Sequence, residues 1–169
     1  RLEGRRVQVG LEYAARDEGE VHAAVLTAKF DGVRAGDAQA FGLEPPSIVL
    51  RRETNTDRRE KERGLTREVQ TGFAGFDRAV FVDNDASEAD ARRVLSTEAT
   101  RQAVLRLLEH HAAVRITPTG VTVRHLAQDG RLAAGPLLDT LEDLLVVARA
   151  GGPSLVVPAR RGLRAENVI

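Results

Sequence analysis

From Val7 to Tyr13 apolar and polar residues alternate without a break. Val7, Val9, Leu11 and Tyr13 fall on one side, and Gln8, Gly10 and Glu12 on the other. A period of two predicts a half-buried strand. The polar run 16–20 reads as a turn, and a second strand extends from Val21 to about Phe30, so the short link predicts a hairpin. Residues 31–46, punctuated by Gly32, Gly36, Gly42, Pro45 and Pro46, read as a surface loop. Ile48, Val49 and Leu50 open a third strand that runs into Arg51, Arg52 and Glu53. Phe76 to Asp83 reads as a fourth strand. It is apolar on both faces through Ala79, Val80, Phe81 and Val82, which places it in the middle of a sheet.

The second half changes period. Ser87 with Asp90 three residues later matches a capping box and starts a short helix. Ser96, Thr97 and Glu98 restart a longer one, whose stripe of Val104, Leu105, Leu107, Leu108 and Ala112 predicts one buried face. Val114 and Ile116, then Thr117-Pro118-Thr119-Gly120, then Val121 and Val123 read as a second hairpin, with proline at the second turn position. Pro136 opens a last helix lined by Leu137, Leu138, Leu141, Leu144, Leu145 and Ala148, and Gly151 stops it. Leu155, Val156 and Val157 read as an edge strand halted by Pro158. The order ββββααββα(β) does not alternate strand with helix. It predicts an α+β fold, a mainly antiparallel sheet with helices on one face. Residues 1–158 form a single domain in this reading, and 159–169 a basic tail.

Between the two halves lies a charged stretch, 51–72. Its first twenty residues hold seven basic and five acidic side chains and few apolar ones. A segment of that composition buries little surface, so it is expected as a long loop excursion. Across the whole chain, 25 acidic and 25 basic residues balance, which removes any global drive toward nucleic acid or anionic lipid. Cysteine is absent, which excludes disulfides, thiolate nucleophiles and cysteine-held zinc. Methionine is absent too, and the chain opens at Arg1, so the 169 residues are expected to be part of a longer protein. No apolar run approaches the length of a membrane span.

Few residues offer chemistry. Asp83-Asn84-Asp85-Ala86-Ser87 follows an apolar strand, and this resembles the first motif of the haloacid dehalogenase-like phosphotransferases. The resemblance implies Asp83 as nucleophile and Asp85 as acid/base beside magnesium. Against it, no lysine follows Lys61, and antiparallel-looking strands precede the motif. The plainer reading makes both carboxylates helix-entry residues favoured by the helix dipole. The stretch also lacks the glycine and closing glutamate of a calcium loop. His110 and His111 are adjacent rather than four apart, so they do not form a zinc-helix pair. No metal or other cofactor is expected. Arg51, Arg52, Arg58, Arg59, Arg63 and Arg67 are interleaved with acids and lack aromatics between them, which argues for a solvated face rather than a nucleic-acid one.

One wider resemblance exists. Arg67-Glu68-Val69-Gln70-Thr71-Gly72, then Phe76-Asp77-Arg78-Ala79-Val80-Phe81-Val82, then Arg101, Val104, Leu105, Leu107 and Leu108 are similar to soluble domains of uncharacterised bacterial proteins. These are commonly encoded behind N-terminal membrane helices. The resemblance covers about 48–148 and implies a membrane-anchored parent, with Arg1, Arg5 and Arg6 suited to its cytoplasmic face. The leading expectation is therefore a non-enzymatic interaction or scaffolding domain. Arg67, Glu68, Gln70 and Asp77 are its candidate binding residues. Its partner would be another protein or a second copy, without nucleic acid, and a membrane would be reached only through segments outside these residues. Two alternatives stand beside it: a small magnesium-dependent phosphohydrolase or phosphotransferase using Asp83 and Asp85, and a module binding a ligand or lipid headgroup through the 51–70 loop.

Overall fold

The computed structural model describes residues 7–16, 20–30, 47–65, 68–84, 87–126 and 134–151. Among the described residues, six strands and five helices follow one another along the chain. They are β1 (Val7–Arg16), β2 (Glu20–Phe30), β3 (Ile48–Arg52), α1 (Asn55–Glu62), α2 (Ala74–Ala79), β4 (Val80–Asn84), α3 (Glu88–Val94), α4 (Glu98–His110), β5 (Ala113–Thr117), β6 (Gly120–Leu126) and α5 (Ala134–Gly151). The fold is α+β. One sheet runs in the order β1-β2-β6-β5-β3-β4, and every neighbouring pair is antiparallel. Both expected hairpins are present, β1–β2 and β5–β6, the latter closing at Thr117 opposite Gly120. The loop expected at 31–46, the edge strand at 155–157 and the tail at 159–169 lie outside the described residues.

Strand alternation builds the core. One register row crosses five strands as Leu26, Val123, Val114, Leu50 and Val82, and a second runs Ala28, Val121, Ile116 and Ile48. All of these side chains are buried. Helix α4 covers them with Ala103, Val104, Leu107 and Leu108, and α5 does so with Leu144, Val147 and Ala148. Residues between them in register, Thr27, Thr122, Arg115, Val49 and Asp83, face the other way and are exposed or half-buried. The two helices are joined by a bidentate pair from Arg106 to Asp143, with Nη2 to Oδ1 at 2.6 Å, and by a 3.2 Å contact between His111 Nε2 and Thr140 Oγ1.

The structure corrects the sequence reading at three places. Residues 51–72 are not a loop excursion: 55–62 form α1, and 74–79 form α2 where a strand was expected from Phe76. Composition misled because α1 is held by its ends and by ion pairs rather than by an apolar face. Strand β4 is at the sheet edge rather than its middle. Its residues are buried on both faces because helices cover Val80 and Val82 while the Arg51 guanidinium lies 4.1 Å over the Phe81 ring. On α5 the buried line runs through Thr140, Leu144, Val147, Ala148 and Gly151. Leu138 is therefore 61% exposed, and Leu141 and Leu145 are half-buried at the flank. Among the described residues no helix is long and apolar enough to cross a membrane.

These positions make different predictions for substitution. Leu144→Ala removes a side chain with no solvent exposure and should cost about 2–5 kcal/mol in denaturant unfolding. Leu138→Ala should leave the unfolding midpoint within about 0.5 kcal/mol of wild type. A reversal of that order would show that the α5 core line is wrongly placed.

Candidate functional site

Helix α1 contains almost no apolar surface, so its two ends decide whether it forms. At the start, Thr54 Oγ1 accepts the Asp57 amide at 3.2 Å while the Asp57 carboxylate accepts the Thr54 amide at 2.8 Å, which is a reciprocal capping box. At the end, Gly64 takes a left-handed φ of 67°, its amide donates to Lys61 O, and the Leu65 amide donates to Glu60 O. That is a Schellman closure, and only a residue without Cβ adopts the conformation without strain. Asp57 has a second task. Its carboxylate also receives Arg51 Nη2 at 2.7 Å, which ties α1 back to β3. The Arg51 hydrogen bond, helped by those from Thr54, holds the Asp57 carboxyl well below the ordinary carboxylate range despite burial.

Beyond α1 lies an ion triad. Lys61 Nζ sits 2.9 Å from Glu53 Oε1, pairs with Glu68, and donates to the Asp77 carbonyl at 3.2 Å. The side chains of Glu53 and Glu68 are 3% and 2% exposed, against 27% for Lys61. Glu68 also accepts Gln70 Nε2 at 3.0 Å and the Val82 amide at 3.4 Å, and the Val69 amide donates to Val82 O at 3.3 Å. The segment 68–69 therefore closes part of the outer edge of β4, where open main-chain groups would otherwise invite pairing. Asp77 is buried and organises the next turn. It accepts the Thr71 amide at 3.0 Å, the Thr71 hydroxyl at 2.6 Å and the Gly72 amide at 3.0 Å. Arg92 Nε donates to Gln70 O at 3.0 Å, and the Arg101 guanidinium stacks 3.3 Å from the centre of the Phe73 ring, so helices α3 and α4 pin the same segment from the other side.

A cleft of about 700 Å³ opens between α1 and this segment, lined among others by Glu53, Arg58, Lys61, Gln70, Asp77 and Arg78. Two of the binding residues named from the sequence, Gln70 and Asp77, line it. Glu68 supports it through Lys61, and Arg67 lies outside the described residues. Of the carboxylate pair named from the sequence, Asp83 does not line the cleft. Asp83 is exposed, opposite Val49 in the register, and is not among the lining residues, while Asp85 lies outside the described residues. Sequence reasoning missed Glu53 and Lys61. One signal was available: Lys61 is one of only two lysines against 23 arginines. His111 is buried between α4 and α5, His110 is exposed, and no group of three metal-ligating side chains occurs among the described residues.

Comparison with known proteins adds no relative. No protein-family model, no curated protein and no solved structure matches this chain. The cleft is thus read from its own chemistry. It offers carboxylates and cations whose positions are set by one another and by main-chain amides, an arrangement suited to reading charge on a ligand.

The Asp57 contacts set a pH dependence. Its folded pKa lies below the ordinary value of 3.8, so its contribution is complete above that value and is lost as pH falls toward and through the folded pKa. Asp57→Asn should lower stability by about 1–3 kcal/mol at pH 7. The gap to wild type should shrink as unfolding is repeated below pH 4. A gap that stays constant with pH would remove the carboxylate from this role.

Proposed function

We propose that this domain is a non-enzymatic interaction module that receives a segment of a partner protein in the cleft between α1 and residues 70–78. The observation that carries the reading is that Asp77 and Lys61 of the cleft are held by fixed partners. Asp77 spends its carboxylate on the Thr71 and Gly72 amides and the Thr71 hydroxyl, and Lys61 is shared between Glu53 and Glu68. Groups held in this way present a fixed pattern of charge. Two apolar side chains stand in the same stretches of chain: Leu65, just beyond α1, is 70% exposed, and Phe73, between Gly72 and Ala74 of the cleft lining, is 41% exposed. A charged recess flanked by apolar anchors fits the make-up of a protein interface. A cytoplasmic placement beside a membrane belongs to the same proposal and rests on the family resemblance.

Selection of binders from a displayed peptide library would test it. Enriched peptides should compete for one site and lose at least tenfold in affinity with Leu65→Ser plus Phe73→Ser. Because the second change also removes the Arg101 stacking contact, the amide spectrum of the variant is first matched to that of the wild type. The wild type should gain no thermal stability from millimolar magnesium and should not hydrolyse an aryl phosphate. Peptides indifferent to the double change would overturn the choice of cleft. Magnesium-dependent hydrolysis abolished by Asp83→Asn would replace the reading with the phosphohydrolase one.

A further inference from the structure

Glu53 is almost completely withdrawn from water, yet its hydrogen bonding is half complete. Its side chain is 3% exposed and lines the cleft. Oε1 accepts from Lys61 at 2.9 Å. Oε2 has an ion pair with Arg58 Nε at 3.7 Å, too long for a hydrogen bond, and no hydrogen-bond donor among the described residues. A buried carboxylate oxygen without a donor is disfavoured unless something supplies one.

The local charge points the same way. Two nearly buried carboxylates, Glu53 and Glu68, share the single ammonium of Lys61. Arg58 answers Glu53 only from the surface, with a side chain 57% exposed. At the rim stand exposed Glu62 and exposed Arg78, which form no ion pair with each other. Asp77 is satisfied by main-chain amides and the Thr71 hydroxyl. Excess negative charge therefore remains at Glu53 and Glu68, beside an opening of about 700 Å³. That space exceeds what a bare ion fills, and the described residues offer no cluster of three carboxylates or imidazoles to hold one.

We propose that Glu53 Oε2 accepts the guanidinium or ammonium group of a basic side chain, Arg or Lys, carried by the partner segment. This rests on the interaction reading above and names the chemistry of its ligand. Lys61 holds the Glu53 carboxylate in place through Oε1 and leaves Oε2 directed to the incoming donor. Arg58, mostly in solvent, swings aside. The exposed carboxylate of Glu62 attracts the same charge at the mouth. A bidentate guanidinium pair is the strongest form this contact takes.

The test uses blocked pentapeptides Gly-Leu-Gly-Arg-Gly and two analogues, with citrulline or Glu in place of Arg, titrated into the full chain and followed by amide resonances. The Arg peptide should shift the resonances of Glu53, Lys61 and Gln70, and the citrulline analogue should bind at least tenfold more weakly. Glu53→Gln should weaken the Arg peptide at least tenfold and Glu62→Gln several-fold. If Glu53→Gln fails to fold, the citrulline comparison and Glu62→Gln decide alone. Equal binding of the Arg and citrulline peptides, or shifts at Glu53 from magnesium and none from the Arg peptide, would overturn the inference. Binding of the Glu analogue in the cleft would also overturn it while leaving the interaction reading intact. Cleft resonances unmoved by these peptides and by every library-selected peptide would remove both.

Discussion

Glu53, Lys61 and Glu68 come from three parts of the chain, of which α1, the one carrying Lys61, has no apolar face of its own. Glu53 follows β3, Lys61 lies on α1, and Glu68 begins the segment that closes β4. The Lys61 ammonium also reaches the main chain of α2 at Asp77. Without it, two carboxylates would be left in a site that excludes water, a situation far less favourable than either charge in solvent. The Lys61 ammonium thus shares with the Arg51–Asp57 pair the placing of α1, and with the Val69–Val82 main-chain bond the closing of the β4 edge. A buried ion pair adds little to net stability, but it strongly disfavours arrangements in which a partner is missing. Here it selects one geometry for a segment that has no hydrophobic means of choosing.

The rest of the molecule is organised by a different force. Rows of Leu, Ile, Val and Ala cross the sheet from β2 to β4 on one face and are covered by α4 and α5. This burial dominates stability and gives the platform from which the charged region is displayed. The Arg106–Asp143 pair and the His111–Thr140 contact add direction to the helix packing rather than bulk. Asp83 illustrates the consequence of alternation. One residue beyond buried Val82, it falls on the opposite face of the sheet and is exposed, and it does not line the cleft.

Much of the fold was legible in the sequence. The two hairpins and helices α3, α4 and α5 follow from period, caps and turn residues, because those signals are local. Even α1 carried its boundaries in plain view: Thr54 with Asp57 three residues on, and Gly64 after the last turn. Composition outweighed them, since a helix without an apolar stripe has no visible reason to pack. The reason is ionic and comes from residues eight and seven positions away from Lys61, at Glu53 and Glu68. Similarly, the leucines of α5 identified a helix but not which side of it turns inward, because leucine occurs on both.

The residue pattern alone thus determined the α+β class, the antiparallel hairpins, the lack of cysteine chemistry and the stretch in which a binding site was sought. Only the tertiary structure decided that β4 lies at the edge, that Gln70 and Asp77 line the cleft while Asp83 does not, and that Lys61 sits between two buried carboxylates. The physical difference is range. Periodicity and capping act over a few residues and leave their mark in consecutive positions. The partners of a buried charge are set by which chain segments meet in space, and no short stretch of sequence records that.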